Sequence, residues 1–275
     1  MKSLNFCYTT SMRHIDANDF KQKNGYDVDG TWYPRVTKIL EVKAKPALEG
    51  FFREMGSYEA ADVVKNKSAE HGSLVHEMVQ RVALGEKPVV SEEIRPAVEA
   101  FEVFAKTQGI LFHPDFIERR VWSAQKRYAG TMDALAEVGG KFGVLDIKTS
   151  TGFYPDYNLQ TAAYLQALQE YEIKQALALP REIQTRWILR VDQQKTCTRC
   201  ASKLREKGGR NKIRNGKSNG TERCPDDAHE WGAMAGEVEI REFPYWFNDI
   251  KAFNAAKTLW EWENSYWLRQ IGYLS

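Results

Sequence analysis

No stretch of this 275-residue sequence approaches the ~18 uninterrupted apolar residues that a membrane-crossing helix requires. Residues Met1 to Thr10 also lack the apolar core of a secretory signal, so a cytosolic protein is expected. Cysteine is scarce, at four residues, and in a reducing compartment these serve as thiols or metal ligands rather than disulfides. There is no internal repeat. Apolar residues at 43% and charged residues at 28% exclude a disordered tail, a collagen-like rod and a coiled coil. One large domain, or one domain with a sizeable insertion, remains.

The net charge of +2 conceals an uneven distribution. Residues 195–223 hold five Lys and five Arg against Glu206 and Glu222, a local +8 that leaves −6 for the rest of the chain. Clustered cations favour a polyanion through counterion release, although a solvated surface loop has the same composition.

Residues 1–34 are polar and without sustained period, with a hairpin expected around Val28-Asp29-Gly30-Thr31-Trp32. Helical patterns follow over 47–66, 70–84 and 92–108. The period then changes to two, and Ile117 to Ser123, Ala129 to Val138 and Phe142 to Thr149 read as consecutive strands with a turn at Gly139-Gly140. A helix over 156–171, strands from Gln184 to Val191 and Glu237 to Phe243, and a helix from Phe247 to Ile271 complete the chain. This order predicts one α/β domain with a mixed sheet rather than a doubly wound parallel one.

Three segments carry chemistry: Gly130-Thr131-Met132-Asp133, Asp146-Ile147-Lys148 and Gln160-Thr161-Ala162-Ala163-Tyr164. Side chains at i and i+2 of a strand share a face, so Asp146 and Lys148 project together while Ile147 enters the core. A carboxylate within an apolar strand is costly unless it meets positive charge. The short turn at 139–141 brings Asp133 beside Asp146, and two adjacent carboxylates call for a hard divalent cation such as Mg²⁺ or Mn²⁺. Gln160 and Tyr164, one helical turn apart, can bind a phosphate or hold Lys148 in position. A lone D-x-K would read as a surface ion pair; its combination with the flanking motifs is much rarer.

This array resembles the RecB-like branch of the PD-(D/E)XK nuclease superfamily. Gly72-Ser73-Leu74-Val75-His76 matches that branch's G-x-x-x-H motif. Tyr33-Pro34-Arg35-Val36-Thr37-Lys38-Ile39-Leu40 resembles the P-S-V-T-x-I-L segment of mitochondrial genome-maintenance and phage exonucleases, with Arg35 in place of Ser. The resemblance spans 33–192. The expected division of the chain is N-terminal helices over the active site (1–110), nuclease core (111–194), a small basic Cys/His insertion that the resemblance does not cover (195–235) and final strand and helix (236–275). For the core the resemblance implies an α/β, restriction-endonuclease-like fold with a mixed sheet and N-terminal helices. It further implies that Asp133, Asp146 and the Ile147 carbonyl hold Mg²⁺ or Mn²⁺ with His76 as an additional ligand, and that Lys148 positions or activates water. Glu118 resembles an acidic position that orients metal-bound water, or is a solvent-facing strand carboxylate. His14, His71 and His113 read as ordinary surface or loop residues.

Cys197-Thr198-Arg199-Cys200, then Cys224 and His229, can form a Cys₃His zinc site closing a 23-residue loop. An unmetallated loop, or an iron–sulfur cluster using Cys7, Cys197, Cys200 and Cys224 as in some RecB-like nucleases, are the alternatives. Expected contacts to nucleic acid are Thr37, Tyr154, Arg205, Arg210, Lys212 and Arg214, with Tyr157 also near the Lys148 strand. The late tryptophans Trp246, Trp260, Trp262 and Trp267 have the spacing of core packing, with stacking on unpaired bases as the other use. The favoured function is a metal-dependent DNA exonuclease acting on single strands or free ends, in the cytoplasm or, if phage-encoded, in a host cytoplasm. Its rivals are a non-catalytic nucleic-acid-binding protein of the same fold and a CRISPR-type spacer-processing nuclease.

Overall fold

The computed structural model describes residues 14–215 and 223–275. Cys7, and with it the iron–sulfur alternative, lies outside the described residues. Helix α1 (Ala17–Asn24) leads into the hairpin β1 (Gly25–Val28) and β2 (Thr31–Pro34). Asp29 and Gly30 turn that hairpin with φ of 50° and 77°, the positive values a two-residue turn demands. Four helices follow: α2 (Val36–Ile39), α3 (Pro46–Met55), α4 (Tyr58–Ala83) and α5 (Arg95–Thr107).

The expected helix over 47–66 is divided, and the expected gap after 66 is filled. Gly56, with φ of 72°, ends α3 in the left-handed region. Ser57 then starts α4 by accepting a hydrogen bond from the Ala60 N–H at 3.1 Å. From there the run through Lys65, Lys67, Ala69 and Glu70 consists of good helix formers, so α4 continues without a break into the His76 segment. His71, expected at the surface, is buried on this helix.

The strands are β3 (Leu111–Phe112), β4 (Arg119–Ser123), β5 (Tyr128–Met132), β6 (Ala134–Val138) and β7 (Lys141–Lys148). After α6 (Pro155–Gln169) and α7 (Tyr171–Ala176) come β8 (Thr185–Cys197), β9 (Lys203–Lys207), β10 (Arg210–Arg214) and β11 (Trp231–Glu242). Helices α8 (Phe247–Glu263) and α9 (Ser265–Gln270) end the chain. The single closing helix expected from the sequence is interrupted at Asn264, whose side-chain amide donates to the Trp260 carbonyl at 2.8 Å and competes with continued helix.

β4 and β5 form a separate hairpin, whereas β3, β6, β7, β8, β9, β10 and β11 form a 7-stranded mixed sheet. β7 runs parallel to β8 and antiparallel to β6. β8 pairs with β11 along its outer side, and beyond the end of β7 it pairs with β9. The basic segment is therefore a continuation of the sheet: β8 crosses the expected boundary at 194/195 unbroken, and β11 begins before 236.

β7 separates two cores by alternation. Leu145 and Ile147 pack with Val75, Val79, Phe101 and Leu189 toward α4 and α5. Phe142 and Val144 pack with Leu165, Leu168 and Phe253 toward α6 and α8. Trp260 belongs to this second core, and its ring stacks on Phe20 with centroids 6.2 Å apart. Among the described residues no helix is long and apolar enough to cross a membrane.

One charge within the second core was not singled out from sequence. Arg186, fully buried on β8, donates to the Phe243 and Tyr245 carbonyls at 3.0 and 3.1 Å and to Thr161 Oγ1 at 3.1 Å. It also bonds the Asn158 carbonyl and Asp249. It thereby ties β8 to α6 and to the start of α8. Arg186→Met should destabilise the fold by roughly 3–5 kcal/mol, since it strands buried acceptors and a carboxylate. Urea denaturation followed by tryptophan fluorescence reads this directly; a change below ~1 kcal/mol would show that the network carries little net stability.

Candidate functional site

The even-numbered face of β7 ends in charge. Asp146 has no solvent exposure, and its Oδ1 and Oδ2 lie 3.0 and 2.9 Å from Lys148 Nζ. Oδ2 has no hydrogen-bonded partner despite that proximity. Lys148 Nζ also donates to Gln160 Oε1 at 3.3 Å, and Gln160 Nε2 donates to the Tyr164 hydroxyl at 3.0 Å. Of the two uses expected for Gln160 and Tyr164, the contact observed is the one that holds Lys148. Gly130 admits the Tyr164 ring: a Cβ at this position would stand 2.3 Å from Cε1. The glycine of the G-x-x-D segment thus serves the helix opposite.

Asp133 occupies the step between β5 and β6. The expected single strand over 129–138 breaks there, because β5 pairs with β4 while β6 joins the main sheet. The β6–β7 register, Ala134 opposite Leu145, sets Asp133 beside the end of β7. Asp133 Oδ2 accepts the Ile147 N–H at 2.6 Å and lies 3.2 Å from His76 Nε2. Glu118 precedes β4 rather than lying within a strand, with φ of 52°. Its N–H donates to the Asp133 carbonyl at 3.0 Å, and its carboxylate accepts from Gln80.

His76, Glu118 and Asp133 each offer a ligand atom within 4.8 Å of the others. Asp146 is not in that group and stands with Lys148 instead. Gln80, one turn beyond His76 on α4, was missed from sequence; its i+4 spacing from His76 was the available signal.

The protonation tendencies diverge across this small volume. Desolvation drives the Asp146 carboxyl well above its ordinary range, and Lys148 offsets this only in part. Asp133 is equally desolvated, but His76, Lys148 and the Ile147 N–H outweigh burial and hold it below its ordinary value. Burial lowers His76, yet the Asp133 hydrogen bond and charge more than restore it, so the imidazole sits above its ordinary value. Partial desolvation and the charge of Asp133 raise Glu118 although it retains solvent access. Lys148, despite burial, is raised by Asp146 and Asp133 and stays an ammonium.

His76, Glu118, Asp133 and Lys148 line a cleft of about 1670 Å³, whereas the fully buried Asp146 lies behind Lys148 and does not. Tyr154 and Tyr157 line it, and so do Arg205, Arg210, Lys212 and Arg214 from β9 and β10. Tyr157 lies under Lys148, with Nζ 5.1 Å from the ring centroid. Thr37 is exposed on α2 and does not line the cleft.

At the far end of β8, Cys197, Cys200, Cys224 and His229 bring one ligand atom each within 4.8 Å of all the others. The three cysteines are buried and none forms a disulfide. Cys200 Sγ and His229 Nδ1 are 3.4 Å apart, close to the ~3.5 Å edge of a tetrahedron built from zinc–sulfur and zinc–nitrogen bonds. Backbone N–H groups from Cys200, Arg199 and Glu230 outweigh the desolvation of Cys197 and bring its thiol down to about 7. Hydrogen bonding, led by Ser202, does the same for Cys200, also to about 7. Two thiols prepared for ionisation and a soft, buried donor set suit a structural metal such as zinc.

No protein-family model matches this chain, and no curated protein matches it.

Purified protein should therefore carry about one zinc per chain that resists mild chelation, as read by elemental analysis. Replacing Cys197 and Cys200 together by Ser should remove the metal and lower the melting temperature. A metal-free protein with unchanged melting behaviour after the double substitution would show the cluster to be packing alone.

Proposed function

We propose that this chain is a divalent-metal-dependent nuclease that hydrolyses phosphodiester bonds in DNA, acting as an exonuclease on single strands or free ends. The observation that carries this reading is the convergence of His76, Glu118 and Asp133 within 4.8 Å, beside the Asp146–Lys148 pair. The donor set fits the cation: carboxylate oxygens and one imidazole suit Mg²⁺ or Mn²⁺. The Asp146 carboxylate, its Oδ2 2.9 Å from Lys148 Nζ, stands beside this group as a further oxygen donor. His76, Asp133 and Asp146 would hold the ion, with the Ile147 carbonyl completing the set by resemblance and Glu118 beside it to orient a water. A divalent cation bound there neutralises non-bridging phosphate oxygens and lowers the pKa of a water.

The protein's own groups supply the remainder. Lys148 presents a fixed ammonium where negative charge develops on the phosphate, and Gln160 and Tyr164 keep it from swinging into solvent. Glu118, with a raised pKa and solvent access, can accept or orient the proton of an attacking water. The cationic wall from β9 and β10 supports the reading of a polyanionic substrate, and the aromatic rings of Tyr154 and Tyr157 suit unpaired bases.

End-labelled single- and double-stranded DNA incubated with Mg²⁺ or Mn²⁺ tests the proposal. Cleavage should appear with the wild type and vanish with Asp133→Asn. Lys148→Met should lower kcat about 10²–10³-fold while binding persists. Full activity in Asp133→Asn, or none in the wild type with either ion, would sink the assignment.

The raised pKa values of His76 and Asp146 also set a pH trend. A raised group keeps its proton to higher pH, and a ligand must lose that proton to coordinate. Mn²⁺ affinity should therefore increase as pH rises through neutrality, with net proton release. Calorimetry in buffers of different ionisation enthalpy measures both; affinity that falls with pH would contradict the ligand set.

A further inference from the structure

Lys207 enters the same cleft from the last position of β9. Its Nζ donates to the Thr149 carbonyl at 2.6 Å, one residue past Lys148. The packing around it is close. Gly72 on α4 leaves the space its side chain crosses: a Cβ there would stand 3.4 Å from Lys207 Nζ and 2.6 Å from Thr149 Oγ1. Gly208, the next residue, presses the hairpin onto α4, where a Cβ would lie 2.5 Å from the Val64 carbonyl oxygen. Three elements thus hold this ammonium in one place, one helical turn from His76.

Its charge is unlike that of its neighbours. Arg205 is bound to Asp192 at 2.7 Å, Arg210 to Glu54 at 2.6 Å, and Lys148 to Asp146 at 2.9 Å. Arg214 donates to the Thr151 carbonyl but is exposed. Lys207 is partly buried, and among the described residues no carboxylate lies within ion-pair distance of it. Desolvation, followed by the charge of Arg205, pushes its ammonium down to about 8. Asp192 attracts it only from beyond ion-pair distance and is already paired with Arg205, so the cation's bonded partner is a neutral carbonyl, an arrangement that is destabilising until an anion arrives.

We propose that Lys207 is a phosphate-binding residue of this cleft, gripping a phosphate of the nucleic-acid strand adjacent to the one that is cleaved. The assignment rests on the nuclease reading for the identity of the phosphate. It adds to that reading a contact supplied by the basic segment rather than by the central motifs. The phosphate is either an internal diester or the monoester at a strand end, and the two are distinguishable.

The test is fluorescence anisotropy with a short 3′-fluorescein oligodeoxynucleotide, bearing either a 5′-phosphate or a 5′-hydroxyl, in EDTA across a salt series. Wild type, Lys207→Met and Lys207→Arg are compared, each with its melting temperature. Lys207→Met should weaken binding about tenfold and reduce the salt slope by about one. Lys207→Arg should retain most of the affinity. The melting temperature of Lys207→Met should be unchanged or higher, because no carboxylate among the described residues pairs with this cation in the free protein. A loss shared by both oligonucleotides identifies an internal phosphate, and a loss confined to the 5′-phosphorylated one identifies a terminal phosphate. Equal affinity and salt slope in Lys207→Met would overturn the assignment while leaving the nuclease reading intact. A lowered melting temperature, with binding not rescued by Arg, would overturn it in favour of a structural hydrogen bond. Failure of the wild type to bind either oligonucleotide would remove both readings together.

Discussion

The site depends on one buried ion pair. Asp146 sits at zero exposure at the end of a strand whose other residues enter two hydrophobic cores, and Lys148 is the positive charge beside it. Neither group is cheaply buried alone, and removing one partner of such a pair typically costs about 3–5 kcal/mol. The pair in turn constrains its surroundings. Lys148 is steadied by Gln160, Gln160 by Tyr164, and Tyr164 by the absence of a side chain at Gly130. Residues separated by more than thirty positions are thus links in a single chain of contacts, and a change at Gly130 would be felt at the Lys148 ammonium.

Around that pair, the backbone is arranged to bring carboxylates together and still give them different protonation tendencies. Asp133 stands where the chain leaves the β4–β5 hairpin for the main sheet, which frees its side chain to meet both the Ile147 N–H and His76. Glu118 reaches the same place from a left-handed backbone conformation that costs of order 1 kcal/mol for a non-glycine residue. Hydrogen bonding favours the charged form of Asp133, whereas burial dominates at Asp146. Two like charges in one small volume are tolerated because their environments pull them in opposite directions.

The basic segment is less cationic than its composition suggests. Its ten Lys and Arg are partly neutralised within the fold: Lys195 pairs with Glu206, Arg199 with Glu230, Arg205 with Asp192 and Arg210 with Glu54. Three of those acids, Asp192, Glu54 and Glu230, come from outside the run itself. The number of phosphates it can neutralise is therefore smaller than the number of its Lys and Arg residues. The Cys₃His cluster anchors one end of this segment at the tip of β8, and the turn after Lys207 rests on α4 at the other. The hairpin becomes a wall of the cleft through these two fixed ends.

Much of this was local and so readable from sequence. Strand alternation placed Asp146 and Lys148 on one face and Ile147 on the other, and the C-x₂-C spacing marked two thiols able to ligate one metal, because both follow from short-range covalent geometry. The mixed α/β sheet was likewise legible from the order of periods. What required the tertiary structure was partnership across distance. That Glu118 rather than Asp146 clusters with His76 and Asp133 depends on a break between β5 and β6 and on one positive φ, neither of which leaves a periodic trace. That α4 is continuous depended on Ser57 capping a helix just after Gly56 had ended another. Nothing local marked Arg186 as buried; its burial depends on α6 and α8 covering that face of β8. Lys207 looked like any other cation of the basic run, and only the fold decided which of those charges found a carboxylate and which was left facing the cleft.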